Sequence, residues 1–204
     1  MGDEYLTETI NGTKICLLPY SFMYVNTKAA EMLYSVVLDE IDPTPNFTVI
    51  ELNCDGGILT CQIAPKVDKA IGIDPSPTAI FNANLNKTAN QILNCEFYAE
   101  DLYSCLNKLT EEYYSENLGI IINAGSKSLK ASLINVIRKM SNIQRLIYIT
   151  NNPGGPALKN FAHLVLPFRP KDEIEGAPFV LLRATPVDMY PHTEKYELVL
   201  TFSR

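Results

Sequence analysis

Small and acidic residues follow two apolar runs at positions where a nucleoside could be held. The turn at 53–57, "NCDGG", directly follows the run 48–52, and Asp74 ends the run 69–73 in "IGID". A carboxylate there can accept hydrogen bonds from both hydroxyls of a ribose, and a glycine turn lets the backbone approach a nucleoside closely. The plainer alternative is an ordinary turn and a helix cap at Asp74. The spacing of about twenty residues between the two features favours a nucleoside-type cofactor site.

A polar loop with a proline and two glycines follows a third apolar run. The loop "NNPGG" begins at Asn151, directly after the run 146–150. In open α/β sheets, ligands bind beyond the carboxyl ends of the strands, so Asn151 is a candidate site residue. The segment that continues the loop, "GGPALKN", has a composition that disfavours a helix.

Short apolar runs alternate with segments of helical length, and these elements must position the candidate residues. Runs that are apolar throughout are typical of parallel strands covered on both faces. The predicted strands are 48–52, 69–73, 95–98, 119–123 and 146–150, and several of them are continuously apolar. The predicted helices are 27–39, 77–90, 101–112 and 128–140. Two further runs, at 179–183 and 197–202, predict an antiparallel hairpin after a parallel sheet, in one α/β domain of the doubly wound type.

Composition excludes several classes of protein. The 204 residues have room for one domain with a full core, and the 47% hydrophobic and 20% charged residues are typical of a soluble protein. No apolar run approaches the ~20 residues of a membrane span. The acidic start "MGDEYLTET" differs from a signal or transit peptide. Five cysteines without a C-x-x-C pair, and only two histidines, argue against a disulfide framework and a metal site, and favour a reducing compartment.

The net charge of −6 is unevenly distributed along the chain. Residues 1–116 carry 17 acidic and 6 basic side chains, whereas residues 117–171 carry 8 basic side chains and no acidic one. Such a segment either solvates helix faces or turns towards a polyanion. We therefore predict nucleic acid as a candidate partner of the basic segment 117–171.

Three segments carry longer motifs. The stretch "FMYVNTKAAEMLY" resembles the pattern "FFQVN…AE.LY", and "VIELNCDGG" stands in place of "D-L-x-C-G-x-G". The end of the chain, "PVDMYPHTEKYELVLTFSR", resembles "vDmFPhT.H.E.v.LfsR". On these motifs the chain resembles the S-adenosylmethionine-dependent RNA uracil-C5 methyltransferases, especially the animal tRNA 5-methyluridine enzymes. The resemblance implies an N-terminal segment 1–21 and a methyltransferase-like domain 22–204. The implied fold is the Rossmann-like class I fold, with a mostly parallel seven-stranded sheet and a C-terminal antiparallel hairpin.

The resemblance also implies a reaction and its residues. The family adds a cysteine thiolate to uracil C6, so that C5 can take the methyl group, and a glutamate then removes the C5 proton. Its nucleophile lies in "S-C-N-P", where this chain reads "T-N-N-P". Asn151 therefore stands in the cysteine position, and an amide cannot act as a comparable nucleophile. Glu197 stands in the position of the proton-abstracting glutamate.

S-adenosylmethionine is the cofactor that the resemblance implies, although the chain departs from the family pattern around it. The matching positions are Tyr24, Glu51, Gly57, Asp74 and Asn123. Tyr24 replaces a glutamine, Glu51 replaces an aspartate, and Asn123 replaces the aspartate of "D-P-P-R". In addition, Asp55 replaces the first glycine of the turn. Its bulk and charge predict crowding at a place where the backbone must approach the ligand, so that cofactor binding is weakened or lost.

These departures leave three interpretations. The first is an inactive pseudo-methyltransferase that acts by binding RNA, such as tRNA, or a protein. The second is an active S-adenosylmethionine-dependent RNA methyltransferase, and the third is a module for protein–protein interaction alone. We favour the first, with RNA bound through residues 117–171 and no membrane contact. The plain N-terminus fits the cytosol or the nucleus, and mitochondrial relatives of the family leave that compartment open.

Overall fold

Seven strands form one mostly parallel sheet, and two further strands form a separate hairpin. The computed structural model describes residues 5–113, 117–168, 171 and 173–204. Its strands are β1 (Leu6–Ile10), β2 (Thr13–Leu17), β3 (Phe47–Leu52), β4 (Lys69–Asp74), β5 (Cys95–Ala99), β6 (Asn117–Gly125), β7 (Ile143–Thr150), β8 (Val180–Val187) and β9 (Glu197–Ser203). The order in the sheet is β5-β4-β3-β6-β7-β9-β8. Strands β3 to β7 run parallel, and β9 pairs antiparallel with both β7 and β8. The predicted fold class, including the C-terminal antiparallel hairpin, is confirmed.

Helices connect the strands and begin where the sequence offers caps. They are α1 (Thr27–Ile41), α2 (Ile58–Ile63), α3 (Pro77–Ala89), α4 (Leu102–Glu112), α5 (Ala131–Lys139) and α6 (Ala157–Val165). The Ser76 hydroxyl accepts a hydrogen bond from the Ala79 backbone N–H at 3.3 Å, directly before the proline that opens α3. The prediction that "GGPALKN" disfavours a helix was wrong. Pro156 takes the position before the first helical residue of α6, where its missing N–H costs nothing.

Helix α5 starts three residues later than the sequence predicted. The pattern predicted a start at residue 128, but Lys130 has an extended backbone and α5 begins at Ala131. Residues 128–130 lie in the segment between β6 and α5 and line the cleft described below.

The core lies on both faces of the sheet, which explains the unbroken apolar runs. All six residues of β3 are buried. One apolar cluster joins the sheet to α1 through residues such as Leu33 and Val37, and another joins it to α5 through Ile134 and Ile137. A strand that is covered on both sides has no face on which polar residues are favoured.

The N-terminal hairpin of β1 and β2 was not predicted, and it packs against the α/β core. Ile10 and Ile15 are buried in the cluster around α1. Most of β1 is exposed, so its sequence lacks the apolar alternation that indicates a strand. The division into residues 1–21 and 22–204 stays a prediction, and residues 1–4 lie outside the described residues.

Two asparagines of α3 and Asn90, the residue that caps its C-terminus, hold the outer edge of β2. The Asn86 side chain accepts a hydrogen bond from the Cys16 N–H at 2.7 Å and donates one to the Gly56 carbonyl at 2.8 Å. Asn82 donates to the Cys16 carbonyl at 2.7 Å. Asn90 accepts from the Lys14 N–H at 2.9 Å and donates to the Lys14 carbonyl at 2.7 Å. The three amides satisfy backbone groups that would otherwise form an open strand edge.

Arg138 belongs to the basic segment 117–171 but does not lie on the surface. It is 1% exposed, and its guanidinium donates to five backbone carbonyls, including those of Leu164 at 2.9 Å and Gly176 at 2.8 Å. The prediction that this segment faces a polyanion was therefore wrong for Arg138, which is a structural residue. Arg169 lies outside the described residues.

No helix in the described part of the chain has the length and apolarity needed to cross a membrane.

Candidate functional site

A cleft of about 610 Å³ opens at the carboxyl ends of the parallel strands. It lies between the adjacent strands β3 and β6. The order of the strands changes direction at this point, because β4 and β5 lie beyond β3 whereas β7 lies beyond β6. Asn53 follows β3 with a positive φ of 58°, and its side-chain N–H donates to the Asn123 carbonyl of β6 at 2.9 Å. This hydrogen bond closes the floor of the cleft between the two strands. The volume lies within the range of small-molecule sites, roughly 300–1,000 Å³.

Asp74 holds the turn after β3 in place. One of its carboxylate oxygens accepts from the Asp55 N–H at 3.1 Å, and the other accepts from the Ser76 N–H at 2.8 Å. Asp74 therefore ties the turn 53–57 to the start of α3, and it also lines the cleft. Burial and the nearby charge of Asp74 raise the pKa of Asp55 to about 6.

Two of the predicted cofactor residues do not line the cleft. Gly57 has a φ of 67°, and a Cβ at this position would lie 2.6 Å from the Phe97 ring, so its role is packing. Glu51 is 2% exposed and accepts a hydrogen bond from the Thr60 hydroxyl. Burial raises the pKa of Glu51 to about 8. The other three, Tyr24, Asp74 and Asn123, do line the cleft.

The structure brings together Tyr24, Asn151 and Glu197 at one end of the cleft. The Tyr24 hydroxyl donates to Glu197 Oε1 at 3.5 Å, and the Asn151 side-chain N–H donates to the same oxygen at 3.3 Å. Glu197 is 1% exposed, and its other oxygen, Oε2, is buried with no hydrogen-bond partner among the described residues. Burial raises the pKa of Glu197 to about 7, and the hydrogen bonds from Asn151 and Tyr24 act in the opposite direction.

This end of the cleft can accept protons and hydrogen bonds, but it holds no thiol. All five cysteines lie in the described part of the chain, are buried, and do not line the cleft. Burial raises the pKa of Cys54, so that this thiol is protonated and unreactive near neutral pH. A carboxyl group with a pKa near 7 can exchange a proton with a bound ligand.

Two exposed lysines and several aromatic rings line the cleft and were not singled out from the sequence. Lys127 and Lys130 lie in the segment between β6 and α5, and they are members of the basic segment 117–171. Tyr103 and Tyr190 line the cleft as well. Tyr190 lies in the motif "PVDMYPHT", but its place beside Tyr103 in the cleft could not be predicted, because the two residues come from elements far apart in the chain.

Relatives named as tRNA methyltransferase homologs match the chain along its whole length. No family model matches it. The tRNA (uracil-5-)-methyltransferase homolog B of Danio rerio is 33% identical over 204 residues, which are 100% of this chain and 42% of the relative. The homolog A of Mus musculus is 31% identical over 203 residues, again 100% of this chain and 33% of the relative. The chain is similar along its whole length to proteins named tRNA (uracil-5-)-methyltransferase homologs A and B. It spans less than half of the length of these two relatives.

Solved structures show the same fold. The tRNA (uracil-54, C5)-methyltransferase of Pyrococcus abyssi, solved in complex with S-adenosyl-L-homocysteine, gives a TM-score of 0.75 at 18% identity. That match covers 99% of this chain and 45% of the Pyrococcus chain. A S-adenosylmethionine-dependent methyltransferase from Agrobacterium tumefaciens gives a TM-score of 0.65 at 11% identity and covers 100% of this chain and 71% of its own. The family resemblance and the class I methyltransferase fold are therefore confirmed.

Proposed function

We propose that this chain is an RNA-binding domain with a methyltransferase fold that does not methylate uridine at C5. The observation that carries the proposal is the hydrogen bond from Asn151 to Glu197 Oε1 at 3.3 Å. The family resemblance aligns these residues with the cysteine nucleophile and the proton-abstracting glutamate. In this chain an amide occupies the position of the thiol and engages the carboxylate. Without a thiolate that adds to C6, C5 of uracil is too poor a nucleophile to take a methyl group.

Two lysines on one wall of the cleft support RNA as the partner, although the lining also holds the acidic side chains of Asp55, Asp74, Asp101 and Glu197. Lys127 and Lys130 are exposed at its wall, and the described residues offer neither a salt-bridge partner. Lys139, in contrast, pairs with Glu175 away from the cleft. Ammonium groups and aromatic rings that line one cleft suit a nucleic acid, because phosphates need the charge and bases stack on the rings.

RNA binding is expected to be steeply salt-dependent and to rely on the two cleft lysines. A fluorescein-labelled single-stranded RNA titrated with the chain should lose affinity as salt rises, because each phosphate contact releases counterions. Replacing Lys127 and Lys130 together by alanine should lower the slope of log K against log salt by about 1 to 2.

The matched control for this titration is Lys159→Ala. Lys159 is an exposed lysine of the same acid-free segment, on α6 and outside the cleft lining. It should leave the slope unchanged. If the wild-type chain binds no RNA, the proposal fails and a protein partner becomes the better interpretation.

A second candidate function is an active methyltransferase whose target needs no covalent adduct. Hydrogen-bond acceptors at the strand ends favour this candidate. The carboxylates of Asp55, Asp74 and Asp101 line the cleft, and so does Asn53, whose amide oxygen has no hydrogen-bond partner among the described residues. These groups fit the ribose hydroxyls and the amino group of S-adenosylmethionine, which would supply an electrophilic methyl group when bound. Asp74 would accept from a hydroxyl while it holds the turn, and Glu197 could take up a proton.

Thermal denaturation with S-adenosylhomocysteine tests the second candidate. A ligand that binds only the folded chain stabilises it by about 2.7 kcal/mol at a hundred times its Kd. A clear rise in the melting temperature, lost in Asp74→Asn, is the result that the active-enzyme candidate requires. An unchanged melting temperature at millimolar ligand would remove that candidate and leave the RNA-binding proposal standing.

A further inference from the structure

The amide of Asn151 is held in one orientation, so the atom that it presents to the cleft is known. Its side-chain nitrogen donates to Glu197 Oε1, which can only accept when it is ionised. The amide oxygen, Oδ1, is therefore left over. This oxygen has no hydrogen-bond partner among the described residues, and Asn151 is an exposed residue of the cleft lining. Asn151 thus offers a ligand an acceptor.

Asn53 shows the same arrangement on the floor of the cleft. Its nitrogen donates to the Asn123 carbonyl at 2.9 Å, so its oxygen is also free to accept within the described part of the chain. Both asparagines therefore turn their donors towards the protein and their acceptors towards the ligand. The lysines of the cleft, Lys127 and Lys130, provide donors, but compact ammonium groups suit phosphates better than base edges.

Glu197 adds a third acceptor beside Asn151. Its side chain is 1% exposed and lines the cleft, and its Oε2 is buried without a partner in the described residues. A buried oxygen without a hydrogen bond is costly, so a ligand that supplies a donor at this end relieves that cost. A carbonyl oxygen placed there would instead meet two acceptors.

Nucleobases differ in the hydrogen-bond donors and acceptors that they would present to Asn151 and Glu197 at this end of the cleft. Uracil carries two carbonyl oxygens and a single ring N–H between them. Cytosine differs from uracil in having an exocyclic amino group in place of one carbonyl, and adenine and guanine also carry an amino group. From the acceptors at Asn151 and Glu197 we infer that the cleft binds a nucleobase with an exocyclic amino group in preference to uracil. The amino group donates to Asn151 Oδ1 beside the Glu197 carboxylate. This inference rests on the proposed RNA binding.

The test compares two RNAs that differ at one exocyclic group. The probes are a fluorescein-labelled nonamer of uridine and the same nonamer with cytidine at its central position, titrated by fluorescence anisotropy at one salt concentration. The wild-type chain should bind the cytidine-containing RNA about tenfold more tightly. Asn151→Ala should reduce this preference to less than twofold, because the acceptor for the exocyclic amino group is lost.

Asn152→Ala is the matched control, since Asn152 is the neighbouring exposed asparagine and does not line the cleft. It should keep the preference of the wild type. Equal binding of both RNAs by the wild type, or a preference that survives in Asn151→Ala, would overturn the inference and leave RNA binding intact. Failure to bind either RNA would overturn the proposed function itself, and the inference with it.

Discussion

Replacing Arg138 by methionine is expected to destabilise the chain by at least about 4 kcal/mol, which is at the upper end of single substitutions. The guanidinium is 1% exposed and donates to five backbone carbonyls around the end of α6 and the loop at 175–176. Methionine fills much of the volume but donates nothing. Each carbonyl left without a partner in a buried position costs roughly 1–3 kcal/mol, and water can reach only some of them.

Lys139→Met is the matched control for Arg138→Met. Lys139 is the next residue of α5, and its exposed ammonium group pairs with Glu175. A surface ion pair contributes about 0–1 kcal/mol, so this variant should unfold close to the wild type. Urea denaturation followed by circular dichroism measures both. A loss below about 1.5 kcal/mol for Arg138→Met would mean that its hydrogen bonds contribute little net stability.

Raising the pH from 5.5 to 8.5 is expected to destabilise the folded chain, and Glu51→Gln is expected to remove most of that loss. Burial raises the pKa of Glu51 from 4.5 to about 8. Between these values the folded chain keeps a proton that the unfolded chain releases, so stability falls as pH rises. The protonated Glu51 side chain stabilises the fold fully below pH 4.5, and this stabilisation is lost as the pH rises through about 8. One pKa unit corresponds to about 1.4 kcal/mol, so the total is several kcal/mol.

Glutamine resembles the protonated form of Glu51 and can still accept from the Thr60 hydroxyl. The melting temperature of Glu51→Gln should therefore exceed that of the wild type, and by clearly more at pH 8.5 than at pH 5.5. Glu197 and Asp55 have pKa values raised to about 7 and about 6, so their titration also lowers stability as the pH rises. The Glu51→Gln variant therefore keeps a smaller loss of stability with rising pH. The exposed Glu111→Gln is the control. A Glu51→Gln variant that melts lower at pH 8.5 would show that the folded chain needs the charge.

The parallel sheet could be predicted from the sequence because its strands are buried on both faces. That burial leaves a direct trace, the unbroken apolar runs of β3, β4, β6 and β7. The hairpin of β1 and β2 left no such trace. Its outer edge is held by side chains of α3 and of its C-terminal cap, Asn90, that lie 64 to 76 residues further along the chain, and a local pattern cannot show such partners.

The candidate site could be predicted only in part. Asp74 was found from its place after an apolar run, and Asn151 and Glu197 from the family motifs. The contact between the last two joins residues 46 positions apart, and Tyr24 lies 173 positions from Glu197, so no spacing rule reveals them. Sequence position also cannot separate the buried Glu51 from a ligand residue, since Glu51 lies at the carboxyl end of β3 and Asn53 of the cleft lies only two positions further on. In the same way, sequence position cannot separate the buried Arg138 from the arginines and lysines that lie on the surface.

Asn86 makes the N-terminal hairpin and the ligand turn a single cooperative unit. One amide bridges Cys16 of the hairpin and Gly56 of the turn, so each side helps to fix the amide to which the other side is hydrogen-bonded. Local unfolding in proteins proceeds by such units. Any ligand that orders the turn 53–57 will therefore also slow amide hydrogen exchange in β2, so that exchange in the hairpin reports whether the cleft is occupied.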